Sequence, residues 1–236
     1  MGRRKSAWAV AGLAAALSYL FGADPTVPAA APAACGEPTP LRFEIERKIT
    51  RSELGFTQGL IYRDGKLYES TGRIDGPTRI NIIATTGQVT TLVDLGTRVF
   101  GEGLTILNDE IIQLTWQDHV VYAYDLAGRL KRRMHNSREG WGLTDDGREL
   151  VFSDGGEAFH FADPATFTVK KSVRIRTDRP EQVLGLNELE WAGGRLYGNI
   201  FTTRRIVRID PSTGCIDGIA DLGVLWQAMS PRERAH

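Results

Sequence analysis

Four short segments of the chain read alike: Gln58-Gly59-Leu60-Ile61-Tyr62, Glu102-Gly103-Leu104-Thr105-Ile106, Trp141-Gly142-Leu143-Thr144 and Asn187-Glu188-Leu189-Glu190-Trp191. After a turn, each is followed by a second alternating apolar run that ends in small or polar residues, at 66–72, 110–116, 149–155 and 195–201. With Gly59, Gly103, Gly142 and Glu188 taken as equivalent, the spacings are 44, 39 and 46 residues. A period near forty with paired short strands is the signature of propeller blades, units that bury their apolar faces by stacking on one another.

Within a unit the pattern gives two hairpins. In the first, runs at 59–63 and 66–70 flank Asp64-Gly65, residue types that tolerate the positive φ of a tight hairpin turn. Runs at 80–85 and 89–95 flank Thr86-Gly87 in the same way. The second unit is expected at 103–107, 111–115, 120–125 and 130–134, and the third at 141–144, 150–153, 158–162 and 169–175. The fourth is expected at 188–191, 196–200, 205–210 and 215–222. Asp-, Pro- and Gly-containing phrases at 125–128, 163–166 and 210–214 build the outer turns for steric reasons and carry no information about a ligand. An amphipathic strand at 41–49 reads as the outer strand of a further blade, and the next inner start would fall just beyond His236. The expected fold is therefore an all-β propeller with its last blade incomplete in this chain.

The first 34 residues read as a targeting segment and linker, ahead of a propeller domain over 35–236. Arg3, Arg4 and Lys5 precede an uncharged Ala- and Leu-rich stretch at 6–20, then a Pro- and Ala-rich stretch at 22–40. That apolar run is short for a membrane span and suits a secretory signal peptide, with an uncleaved signal-anchor as the alternative. The chain is expected to be secreted or periplasmic and monomeric. The two cysteines, Cys35 and Cys215, could pair in an oxidising compartment, stapling the N-terminal strand to the last repeat, or remain free thiols. With 29 basic and 29 acidic residues, no electrostatic footprint for nucleic acid exists. The scattered histidines, His119, His135 and His160, argue against a zinc site.

Innermost strands of a propeller line its axis, so the residue opening each one faces the mouth. That set is Gln58, Glu102, Trp141 and Asn187/Glu188, while the second strands end at Glu69, Trp116, Asp154 and Phe201. Phe56 and Phe100 stand two residues before Gln58 and Glu102, on the same side of their strands. The expected cup has aromatic walls (Phe56, Phe100, Trp116, Trp141, Phe201), two amides (Gln58, Asn187) and one carboxylate, Glu102. A carboxylate among aromatics is desolvated, its pKa rises, and it becomes suited to moving a proton near neutral pH. Any one of these aromatics could simply pack between blades, and Glu188, Glu190 and Asp154 read as structural. Repetition of polar groups at equivalent inner positions favours a site, because core packing does not need them there.

As an ordered set, the segments 56–60, 67–72, 100–105, 113–116, 139–144 and 186–190 resemble the plant-type glutaminyl-peptide cyclotransferases, which also occur in bacteria. The resemblance covers roughly 43–225. It implies a five-bladed β-propeller, no catalytic metal or other cofactor, and a peptide or protein substrate beginning with Gln. It also implies an acyl transfer in which the substrate's α-amine attacks its own side-chain carboxamide, ammonia leaves and pyroglutamate remains. By position, Glu102 would be the proton-transfer residue. Gln58 and Asn187 would hold amide groups, and Phe56, Phe100, Trp116 and Trp141 would wall the pocket. The family usually has Trp where this chain has Phe201, and it continues beyond 230–234 with strands that include a functional lysine. Two alternatives follow: a non-catalytic propeller that binds peptide termini or partner proteins, and a lactonase-type metal hydrolase with Glu102, Asn187 and Asp154 as oxygen ligands.

Overall fold

The computed structural model describes residues 33–53, 55–178 and 185–229, so the targeting segment expected over 1–34 lies outside the described residues except for Ala33 and Ala34. The described chain is a β-propeller of four blades, each a four-stranded antiparallel sheet whose strands follow chain order from the axis outward. The first blade comprises β2 (Thr57–Arg63), β3 (Lys66–Thr71), β4 (Thr78–Ala84) and β5 (Val89–Gly96). The second comprises β6 (Gly101–Leu107), β7 (Glu110–Thr115), β8 (Val120–Asp125) and β9 (Leu130–His135). The third comprises β10 (Leu143–Asp145), β11 (Leu150–Ser153), β12 (Ala158–Ala162) and β13 (Val169–Arg174). In the fourth, β14 (Leu186–Ala192), β15 (Arg195–Ile200), β16 (Arg205–Ile209) and β17 (Ile216–Asp221) are joined at the outer edge by β1 (Thr39–Pro40), which pairs parallel to β17. A short helix, α1 (Gly223–Ala228), follows the fourth blade.

The core lies between blades. Ile80 of the first blade packs with Leu104, Ile111 and Tyr124 of the second. Leu114 of the second packs with Leu143, Leu150 and Phe152 of the third. Phe159 of the third packs with Leu186, Leu196 and Val207 of the fourth. A strand between two neighbouring blades is covered on both faces, which is why every residue of β6 is buried, while β9 and β13 at the rim expose most of their residues. Polar links join the blades near the axis. Gln113 Nε2 donates to Ser70 Oγ (2.8 Å), Thr105 Oγ1 to Asp145 Oδ2 (2.7 Å), and Ser153 Oγ to the Asn187 carbonyl (2.8 Å).

The glycines that mark the repeat have a packing reason. A Cβ on Gly59 would lie 2.6 Å from the Leu104 nitrogen, one on Gly103 2.4 Å from the Leu143 nitrogen, and one on Gly142 2.0 Å from the Asn187 oxygen. Each inner strand therefore presses its backbone on the next. Glu188 takes the same place in the fourth blade, and its Oε1 accepts the Leu60 N–H of the first blade at 3.0 Å.

The strand expected at 41–49 is not formed; that stretch is extended, largely exposed and without a ladder partner among the described residues. Alternation gives a segment two faces, but a strand needs a neighbour to bond to. The stretch is tied at its ends, where the Leu41 N–H donates to the Ile219 carbonyl (2.8 Å) and the Ser52 N–H to the Gly87 carbonyl (2.9 Å). Cys35 and Cys215 form a disulfide across 180 residues, with an S–S distance of 2.08 Å, and fasten the segment before β1 to the fourth blade. Among the described residues no helix is long and apolar enough to cross a membrane.

Candidate active site

Three inner strands carry a β-bulge at the same point. Register shifts fall between Thr57 and Gly59 in β2, between Gly101 and Leu104 in β6, and between Leu186 and Leu189 in β14. Gln58, Glu102 and Asn187 sit at these bulges. An extra residue bends the strand and re-aims its side chain, so a position that would alternate into the blade turns toward the mouth. Trp141 precedes β10 and hangs from the second strand of its blade, its N–H donating to the Ser153 carbonyl at 3.0 Å.

All eight residues expected in the cup line one cavity of about 520 Å³. The walls are two edge-to-face pairs. Phe100 meets Trp116 with ring centroids 5.6 Å apart, and Trp141 meets Phe201 at 5.5 Å. Trp141 lies against Gly155 (φ +74), where a Cβ would come within 2.5 Å of the indole. Phe56 and Phe201 stand about half exposed at the rim.

Three polar side chains converge in this apolar space: Gln58, Glu102 and Asn187. Among the described residues none of the three side chains makes a hydrogen bond or ion pair, although Glu102 is only 7 % exposed. Burial, with a smaller contribution from the negative charge of Glu139, pushes the Glu102 carboxyl up to about 9. A carboxyl so placed keeps its proton at neutral pH. On the fourth blade's inner strand, Glu188 Oε2 is buried without a hydrogen-bond partner among the described residues, and burial raises its pKa well above the ordinary value.

The other second-strand acids are committed elsewhere. Glu69 is bound by Arg51, Thr57 and Asn81 inside the first blade. Asp154 accepts from Arg138 Nη1 (2.9 Å), pairs with His160 Nε2 (3.1 Å), and faces a separate hollow. It does not join Glu102 and Asn187, so the metal-hydrolase ligand set is not assembled. Among the described residues no group of three or more His, Cys, Asp or Glu side chains could hold a metal ion.

Sequence reading missed Arg73 and Ile74, which line the mouth from the loop between β3 and β4. That loop is not part of the repeat, so no periodic signal marks it. It also missed the role of Glu139, which lies behind the wall and accepts hydrogen bonds from both Trp116 and Trp141.

Fold and cavity together define a β-propeller with a small-ligand site at the mouth of its axis, where one proton-holding carboxyl stands among amides and aromatic rings. Glutamine cyclotransferase is the family whose model matches, over residues 17–236, and the chain belongs to it. It is 35 % identical over 179 residues to a glutaminyl-peptide cyclotransferase of Arabidopsis thaliana, a match covering 75 % of this chain and 56 % of that protein. The chain thus spans little more than half the length of this curated relative. The crystal structure of Myxococcus xanthus glutaminyl cyclase superposes with a TM-score of 0.67 at 29 % identity, covering 80 % of this chain and 82 % of that one.

Proposed function

We propose that this protein is a glutaminyl-peptide cyclotransferase, an acyl-transfer enzyme that converts an N-terminal Gln to pyroglutamate and releases ammonia. The observation that carries this reading is the convergence of Gln58, Glu102 and Asn187, side chains unbonded among the described residues, in a cavity walled mainly by aromatic rings. Such groups cost stability unless a ligand uses them.

The chemistry fits the parts. Cyclisation is intramolecular, so the site must fold the Gln side chain back on its own amine and hold it there. The aromatic walls grip the methylenes and exclude water, and the amides of Gln58 and Asn187 hold the carboxamide and the peptide backbone. A peptide α-amine has a pKa of about 7.7–8.0. Burial keeps a proton on Glu102 up to about 9, so the carboxyl can serve as the acid while the amine attacks in its neutral form. The amine nitrogen attacks the side-chain carbonyl carbon, and a C–N bond forms. Glu102 gives its proton to the departing amide nitrogen and takes one from the nitrogen that attacked. The second C–N bond breaks, ammonia leaves, and Glu102 ends protonated as it began. No metal or other cofactor is required.

The same reading takes the ring as five-bladed. In support, residues 41–52 link the fourth blade to the first, tied to Ile219 at one end and to Gly87 at the other, with no strand formed between them among the described residues. It takes the protein as exported and monomeric. The Cys35–Cys215 disulfide supports export, since such bonds persist in oxidising compartments. The test is incubation of folded protein with Gln- and Glu-initiated peptides in the presence of chelator. The expected result is loss of one ammonia from the Gln peptide; binding without mass loss would make it a non-catalytic propeller.

A further inference from the structure

Trp116 and Trp141 come from different blades, yet one oxygen ties them together. Glu139 Oε2 accepts the Trp116 Nε1–H at 2.9 Å and the Trp141 Nε1–H at 3.1 Å. Its other oxygen accepts Gln117 Nε2 at 2.8 Å. Both indole donors are thereby used from behind, so the two rings offer the cavity only their faces and edges. The result is a continuous wall in which Phe100 packs on Trp116, Trp116 and Trp141 share an acceptor, and Phe201 packs on Trp141.

The segment carrying Glu139, between β9 and β10, is fastened before the side chain is considered. The Asn136 N–H donates to the His119 carbonyl (3.0 Å), and the Gly140 N–H to the Trp116 carbonyl (3.0 Å). The Arg138 N–H donates to Asn136 Oδ1 (3.0 Å), and the Arg138 guanidinium holds Asp154 (2.9 Å). A carboxylate on so fixed a backbone defines where each indole stands. Bonds from Gln117, Trp141 and Trp116 keep Glu139 below the usual carboxylate range, so it remains an acceptor-only anion.

We propose that Glu139 is a positioning residue that sets the separation and tilt of the Trp116 and Trp141 rings, and with them the width of the slot that receives the substrate side chain. This rests on the cyclotransferase reading. Glu139 touches neither the cavity nor the reacting atoms. Its charge has a second effect, because it raises the affinity of Glu102 for a proton. The other charged groups facing Glu102 are Glu188 on β14 and Arg73 at the mouth.

Two substitutions separate bond from charge. Glu139→Ala removes both. Glu139→Gln removes the charge but keeps an amide oxygen for the two indoles, with its nitrogen toward Gln117, whose exposed amide can turn to accept. Steady-state kinetics on a Gln-initiated peptide across pH, and near-ultraviolet circular dichroism of the empty proteins, form the experiment. For Glu139→Ala the expectation is a KM raised by ~10–100-fold, a kcat changed far less, and a weakened indole band. Glu139→Gln is expected to rescue most of the KM and the band. In both variants the alkaline limb of kcat/KM should move to lower pH, because a negative neighbour of Glu102 is gone. Parental KM and indole band in Glu139→Ala, or equal impairment in the two variants, would overturn the proposal. If Glu139→Ala does not fold, Trp141→Phe keeps a ring but loses one bond and should raise KM several-fold; an unchanged KM would count against the clamp. A parent inactive on the peptide would remove the cyclotransferase reading, and the indole bands would then decide the clamp alone.

Discussion

Two carboxyl groups, one inside the first blade and one in the cup, are buried almost equally and behave as opposites. Glu69 is 1 % exposed and Glu102 is 7 % exposed. Around Glu69 the structure supplies Arg51, the Thr57 hydroxyl and Asn81 Nδ2, and Asn81 in turn accepts from Thr91 Oγ1 at 3.1 Å. That chain of bonds links all four strands of the blade and ties the sheet together. Around Glu102 the described protein supplies aromatic surface, two amides that do not bond to it and a negative neighbour, but no hydrogen bond or ion pair. The difference teaches that burial alone does not mark a functional acid. A buried charge whose lone pairs are filled holds the fold, whereas a buried carboxyl left unfilled stores free energy that a bound ligand can recover.

The widest separation of the two should come from removing each charge. Glu102→Gln is expected to lower kcat by ~10²–10⁴-fold. The same change should raise stability at pH 8. The Glu102 pKa in the folded state is raised from 4.5 to about 9, so between these values the folded chain holds a proton that the unfolded chain releases. Stability from this group therefore falls as pH rises through that window, and Gln escapes the loss. Ammonia release and thermal melts on one preparation check both halves; parental turnover would end the assignment of Glu102.

Glu69→Ala should do the reverse. It strands Arg51 and Asn81 beside a small hole, at a cost of about 3–5 kcal/mol. The melting temperature should drop by roughly 10 °C, with kcat per folded molecule nearly unchanged. A large loss of kcat without a change in melting would erase the contrast.

The pH profile sharpens it from the side of the cup. Productive complexes contain one proton shared by Glu102 and the substrate amine. kcat/KM should therefore rise as the amine passes its pKa of about 7.7–8.0. It should fall again as Glu102 ionises near 9. A profile flat from pH 7 to 10 would mean that neither proton matters.

The smallest expected effect concerns the rim. Phe201→Trp enlarges the edge contact with Trp141 and should lower KM by about two- to threefold with kcat unaltered. A tenfold change in kcat would place residue 201 nearer the reacting atoms than its exposed position indicates.

Much of this was legible in the chain. Hairpin turns such as Asp64-Gly65, with φ of 51° and 78°, follow from residue types that tolerate positive φ. The repeat located the four blades and placed eight residues at the cup, because period-two alternation and a forty-residue spacing are local quantities. Other features were not legible. The stretch 41–49 has a strand's alternation, but its lack of a ladder among the described residues is a fact about neighbours. α1 follows β17 in a segment with no repeat to announce it. The two cysteines admitted a disulfide or two free thiols, and the choice was settled only when the N-terminal segment was laid along the fourth blade. Arg73 and Glu139 sit in irregular loops whose positions only packing defines.

By itself, then, the sequence determined the four repeats that fold as blades, the turns, and the kinds of side chain that gather at the axis. Only the tertiary structure decided which acid would be a strut and which a reagent. Glu69 stands near the end of the second strand of one blade, and Glu102 near the start of the inner strand of the next. One meets a guanidinium 18 residues away, and the other meets rings delivered by all four described blades. Proton affinity depends on what surrounds a carboxyl in space, and that is settled when the blades close on one another.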